Sequence, residues 1–169
     1  MGTIIPFSSR ADRQRKDAQI YFQENYCKRI CRQNDFTAAL KKAVDIFSIW
    51  NTKDNFQNVS SLLEKGLEAN YELHLKARCG KLDSDVEIEL VPDESGVNFY
   101  YAVYTDDKQA NYNDQATYYS TDYKISLKFL IQNIKDERMM AGICINPHSS
   151  SGCIIPRQEL QQIYAQVVG

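Results

Sequence analysis

AGICINPHSSSGCIIPRQELQQIYAQVVG, residues 141–169, changes its hydrophobic period twice. Residues 139–145 are apolar and β-branched and predict a strand, the polar run 146–152 predicts a loop, and residues 153–155 predict a short returning strand. Pro156 suits the first position of a helix, where its missing N–H would have no intrahelical partner. Leu160, Ile163, Tyr164 and Val167 then recur at helical spacing and mark the buried stripe of a closing helix. Two strands followed by an amphipathic helix belong to a sheet with helices packed on it.

The same alternation lies upstream. Tyr71, Leu73, Leu75, Ala77 and Cys79 alternate with Glu72, His74, Lys76 and Arg78, and Val86, Ile88 and Leu90 alternate with Asp85, Glu87 and Glu89. After a turn at 92–96 a third strand runs over about 97–104. Neighbouring segments of period two form an antiparallel meander over about 71–104 with one wetter face. Pairing Cys79 with Ser84 would set Arg78 against Asp85, Lys76 against Glu87 and His74 against Glu89, three complementary pairs from one register. Helical stripes precede the meander: Leu40, Ala43, Val44, Phe47 and Trp50, then Val59, Leu62, Leu63 and Leu67, with a polar loop at 51–58 between them. Another follows it, Leu127, Leu130, Ile131 and Ile134, which Thr121 or Asp122 would cap. The expected fold class is α+β, with a mainly antiparallel sheet, further strands near 141–146 and 153–155, and helices packed on it. Residues 1–35 read as a basic helical arm, with a helix over 10–32 that offers a dimerisation surface, and residues 36–169 as the domain.

The chain has 169 residues, a formal net charge of −2 and five cysteines. No apolar run reaches the roughly 20 residues that cross a bilayer, and the opening MGTIIPFSSR has neither the signal-peptide layout nor the myristoylation pattern. An odd cysteine count without a spaced framework fits reduced thiols and a cytoplasmic location. Charge is uneven: residues 1–35 hold 7 basic and 4 acidic side chains, whereas residues 83–122 hold 10 acidic ones and a single Lys108. Phosphates would be repelled by that middle segment, so no nucleic-acid partner is expected there.

No metal or cofactor site is expected. The two histidines, His74 and His148, form no HxH or HExxH pattern, and the cysteines form no CxxC pair. The phosphate-binding glycine pattern is missing from the 146–152 loop, which reads as a tight connection. Nucleophilic chemistry would fall to Cys144 or Cys153 with His148, but Cys144 lies in an apolar strand whose burial makes a thiol inert. Asp106 and Asp107 with Asp114 offer paired carboxylates, yet neighbouring acids on a strand end point opposite ways and read as a solvated loop.

Tyrosine is the excess. Tyr100, Tyr101, Tyr104, Tyr112, Tyr118, Tyr119 and Tyr123 place 7 of the 11 tyrosines within 24 residues, beside Asp106, Asp107, Asp114 and Asp122. Tyr101 shares a face with Phe99 and Val103, whereas Tyr100 and Tyr104 take the other. Amphipathic rings rimmed by acids compose either a protein-recognition surface or a covering loop on the sheet. The expected binding residues are therefore Tyr100, Tyr104, Asp106, Asp107, Tyr112, Asp114, Tyr118 and Tyr119, and the expected partner is a protein with a basic surface.

Three blocks in order, the helical pair at 36–67 (FTAALKKAVDIF to VSSLLEKGL), YYAVYTDD at 100–107 and AGICINPHSSSGCIIPRQELQQI at 141–163, resemble the N-terminal domain of SseB-type proteins, a bacterial cytosolic family. The resemblance covers about 36–168, is weakest over 108–122 and leaves the basic arm outside. It implies an α+β fold and a binding or regulatory role, and it brings no catalytic residue. The sequence thus predicts a non-enzymatic protein-binding module, the alternative being an enzyme that uses His148 with Cys144 and Cys153, or Asp106 with Asp107.

Overall fold

The computed structural model describes residues 13, 14, 16–18, 22, 26–79, 86–110, 120–148 and 152–169. The described residues at 13–18 are helical, and a 3-10 turn at Cys27–Arg29 leads into helix α1 (Gln33–Ile49). Helix α2 (Lys53–Glu68) starts at Thr52, whose hydroxyl accepts the Asn55 N–H. The sequence placed a loop over 51–58; that cap, with Phe56 packed on Phe47 at 5.5 Å, draws residues 53–58 into the helix instead. Trp50 also departs from expectation. Helix α1 ends at Ile49, Trp50 turns extended, and its ring leaves the buried stripe at 62% exposure.

The strands are β1 (Glu72–Cys79), β2 (Val86–Ile88), β3 (Leu90–Pro92), β4 (Phe99–Tyr104), β5 (Ser120–Ser126), β6 (Met140–Ile145) and β7 (Cys153–Pro156). They form one seven-stranded sheet of order β2-β1-β4-β6-β7, with β3 on β4 and β5 on β1. Every pairing is antiparallel except β4 with β6. Helices α3 (Asp107–Ala110), α4 (Leu127–Asp136) and α5 (Arg157–Val168) follow among the strands and close the chain. The expected α+β class and mainly antiparallel sheet are what the chain adopts.

One large core lies between the sheet and α1, α2, α4 and α5. Phe36, Leu40, Leu62, Leu73, Leu130, Ile143 and Leu160 are among its buried members, and Phe22, Cys27 and Ile30 from the basic arm pack into or against it. Those arm residues therefore join the hydrophobic body on the near side of residue 36. Gly66 permits a close approach of α2 to α1, since a Cβ there would sit 2.5 Å from the Phe36 ring.

Three further details depart from the sequence reading. Residues 120–122, expected to be loop and cap, and 123–126, expected to open the helix, form β5 along β1, because Tyr123 and Ile125 alternate into the core. The cap of α4 is then Ser126, which accepts from the Phe129 N–H, and not Thr121 or Asp122. Pro156 is the N-cap of α5 and the last residue of β7, with Arg157 at the first helical position.

The middle strand of the meander is the third departure. It splits at Glu89 into β2, which pairs with β1, and β3, which pairs with β4. The register is Arg78 with Glu87 and Cys79 with Val86, two residues from the expected pairing. A shift of two keeps each side chain on its predicted face, which is why the alternation survives while the charge pairs change.

Candidate functional site at the sheet fork

The split creates a fork. Below Glu89, β1 and β4 pair directly, with His74 opposite Tyr104 and Leu75 opposite Val103; above it, β2 and β3 lie between them. Glu89 holds the apex through its backbone, its N–H donating to the Lys76 carbonyl at 2.9 Å and its own carbonyl accepting from Ala102 at 3.3 Å. Alternation turns the Tyr104 side chain to the sheet face away from the main core, where Ala102, Tyr104 and Ala110 form a second small buried cluster with Val91 against it.

The polar groups of that outer face converge on the Glu89 carboxylate. The Tyr104 hydroxyl donates to Oε1, and His148 Nε2 lies 3.2 Å from the same oxygen. The His148 ring also stacks near the Tyr104 ring, with centroids 6.2 Å apart. Lys76, 1% exposed, places its ammonium 5.5 Å from the centre of the Tyr104 ring, an arrangement in which the ring face attracts the cation. Burial, then the hydrogen bond to Glu89 and the charge of that carboxylate, push the Tyr104 hydroxyl far above its ordinary value. The phenol therefore keeps its proton and serves as a permanent donor to Glu89.

His148 reaches this place because the Asn-Pro loop is anchored. Asn146 takes a left-handed backbone at φ 53 and is wholly buried. Its backbone N–H donates to Val103 at 2.8 Å, its Oδ1 accepts the Thr105 N–H at 3.1 Å, and its Nδ2 donates to the Thr105 hydroxyl at 3.2 Å. The loop that follows β6 is thus tied to the end of β4.

Of the residues singled out in the sequence, Tyr104 belongs to this cluster but is wholly buried, so it is part of the interior and not of an open surface. Tyr100 is half-buried on the outer face. Asp106 accepts the Gln109 N–H at 2.8 Å and so starts α3. Asp107 opens α3; Tyr112, Asp114, Tyr118 and Tyr119 lie outside the described residues. Cys144 is buried, and burial followed by the Glu89 charge pushes its thiol up to about 11. Cys153 is buried on the helix side, where burial and then Cys144 push its thiol up to about 12. His148 faces Glu89 and Tyr104.

Glu89 and Lys76 were missed. Both looked like ordinary wet-face residues of alternating strands, and 59 positions separate Glu89 from His148, a distance no local pattern spans. Among the described residues no group of three or more His, Cys, Asp or Glu side chains is placed to hold a metal ion, and no helix is long and apolar enough to cross a membrane. Searches against protein-family models, curated proteins and solved structures found no match for the chain.

Proposed function

We propose that the protein is a non-enzymatic protein-binding or regulatory module that meets its partner on the outer sheet face and along the acidic, tyrosine-rich segment 100–123. The observation that carries this reading is the engagement of Glu89, whose Oε1 accepts the Tyr104 hydroxyl and faces His148. A carboxylate engaged in this way joins strands and is poorly placed to take a proton from a substrate. Both nearby thiols sit far from their reactive, ionised form, which argues against cysteine chemistry.

Around this closed centre the face offers the half-buried Tyr100 ring, the exposed Ile154 and the partly exposed His148. Aromatic and aliphatic groups beside polar ones suit recognition of another protein. The excess of acidic side chains over 83–122 favours a partner with a basic surface. Reduced thiols at Cys27, Cys31, Cys144 and Cys153 support a cytoplasmic setting. The resemblance of residues 141–163 to the SseB-type domain, and the bacterial origin that it implies, belong to this proposal; β6, β7 and α5 follow one another there in the order the resemblance requires.

The test is site-directed photo-crosslinking in cells. A benzophenone amino acid in place of Tyr100 is expected to capture a discrete protein, while the same group in place of the exposed Lys128 on α4 captures none. Absence of a specific product at position 100 would sink the reading. Alkylation supplies the second measurement: iodoacetamide modifies the exposed Cys31 first and leaves Cys144 and Cys153 protected in the folded protein. Rapid labelling of either buried thiol would transfer support to an enzyme.

A further inference from the structure

A departure from close packing on the helical side lies between the arm and the α1–α2 hairpin. A cavity of about 170 Å³ opens there, lined by Phe22, Tyr26, Ala43, Ile46 and Leu62, with Lys42 and Asn58 among its polar groups. Small-molecule pockets run from roughly 300 to 1,000 Å³, so a space of this size accommodates one bulky side chain and leaves the rest of its owner outside. An adjoining, shallower basin of about 420 Å³ shares Tyr26, Ala39 and Lys42 with it and adds Arg29, Ile30 and Asp35. The two form a deep apolar socket beside a wider shelf.

Charge selects what can lie on the shelf. Among the described residues the lining of the shelf holds two cations, Arg29 and Lys42, and one acid, Asp35. Lys42 is exposed and has no ion-pair partner among the described residues, whereas its neighbour Lys41 is held by Asp45 at 2.6 Å. Beyond the socket the apolar track continues one turn along the chain, from Ile46 to Ile49 and Trp50, which are 69% and 62% exposed. Exposed Trp beside a small apolar pocket is the pairing that concentrates binding energy in protein interfaces.

We propose that this socket and shelf bind an acidic peptide segment of a partner protein, with one Phe or Leu side chain in the cavity and flanking carboxylates on Lys42 and Arg29. The site lies on the helical side of the sheet and stands independently of the outer-face reading. The probe is the capped pentapeptide acetyl-Glu-Glu-Phe-Glu-Glu-amide, followed by chemical shifts of the Ala39, Ala43 and Leu62 methyl groups and by emission of Trp50, the single tryptophan.

Saturable shifts confined to those methyl groups are expected. Replacing the peptide Phe by Ala weakens binding by about tenfold or more, and a peptide with Lys in place of each Glu binds more weakly still. Lys42→Glu, an exposed change on α1 that leaves the fold alone, weakens the acidic peptide by about threefold or more. Ala43→Phe fills the cavity and abolishes the methyl shifts. No saturation up to about 5 mM peptide, or equal binding of the Ala peptide, overturns the proposal. So does perturbation of the same methyl groups by raising the protein concentration alone, which would make the occupant a second copy. Tyr100→Ala leaves the peptide affinity unchanged, so failure here and failure of the crosslinking test are separate results.

Discussion

Gly142 shows how one residue type can be demanded by the strand beside it. Its φ is +145°, and a Cβ built there would lie 2.1 Å from the Ile155 carbonyl oxygen in β7. The neighbouring register also slips, Phe99 pairing with Met140 and Tyr100 with Gly142, so Ala141 is an extra residue in the parallel β4–β6 pairing. A bulge followed by a glycine lets β7 close on β6. Gly142→Ala is expected to destabilise the protein by about 2–4 kcal/mol, since backbone and not a flexible side chain must move; urea denaturation measures it. Asn146, three residues after Ile143, carries the complementary strain at φ 53 and offsets it with bonds to Val103 and Thr105. The glycine was visible in the sequence only as the head of an apolar strand; the reason for it is the carbonyl of another strand.

At the scale of elements, ends are where side chains act. Arg157, the first residue of α5, donates to the carbonyls of Lys135 at 2.7 Å, Glu137 at 2.8 Å and Met140 at 3.3 Å. Those oxygens lie at or just beyond the C-terminus of α4, where carbonyls lack helical partners and the helix dipole favours a cation. One guanidinium thereby joins α4, β6 and α5. Arg157→Ala is expected to cost about 1.5–3 kcal/mol, and Arg157→Lys to restore only part of it because an ammonium lacks the planar fork; thermal melting of the two variants orders them. Gln33 does similar work at the other end of the sheet, bonding both the N–H and the carbonyl of Glu72 at 2.7 Å and so extending β1 with a side-chain amide. Neither bridge has a local signature, because its partners lie 17 or more residues away.

At the scale of the whole molecule, the arm and the hairpin share one interface, and its electrostatics carry a pH dependence. Glu64 on α2 is half-buried; burial first, then the neighbouring Glu68, raises its carboxyl above the ordinary 4.5. A raised folded-state value means that the folded protein holds this proton more tightly than the unfolded chain. The group is neutral to stability well below 4.5 and increasingly unfavourable as pH climbs through and above that value. Glu64→Gln is therefore expected to stabilise the protein at neutral pH by about 0.2–0.5 kcal/mol, the size of one like-charge pair on a helix. The gain should vanish in denaturation curves recorded below pH 4.5. Glu64 also helps to keep Cys27 protonated, after burial, at about 11, which ties the arm cysteine to the same interface.

Periodicity determined most element types, though not β5 or the first turns of α2, along with the faces of nearly all strands and the buried stripes, because burial repeats at 2 or 3.6 residues and that repeat is written locally. Leu73, Leu75, Leu130, Ile143 and Leu160 could be assigned to the interior from spacing alone, and they are there. What tertiary structure decided was everything set by partners distant in the chain. It placed Glu89 at a fork between β1 and β4, turned an alternating wet-face carboxylate into the acceptor of Tyr104, and brought His148 to it across the Asn146 anchor. It also withdrew Tyr104 from the surface that its neighbours suggested, exposed Trp50, and opened a socket between an arm and a hairpin. The physical reason is the same in each case: a side chain's face follows from its own backbone, but its partner follows from which strand or helix is packed beside it, and that choice is made by the whole chain.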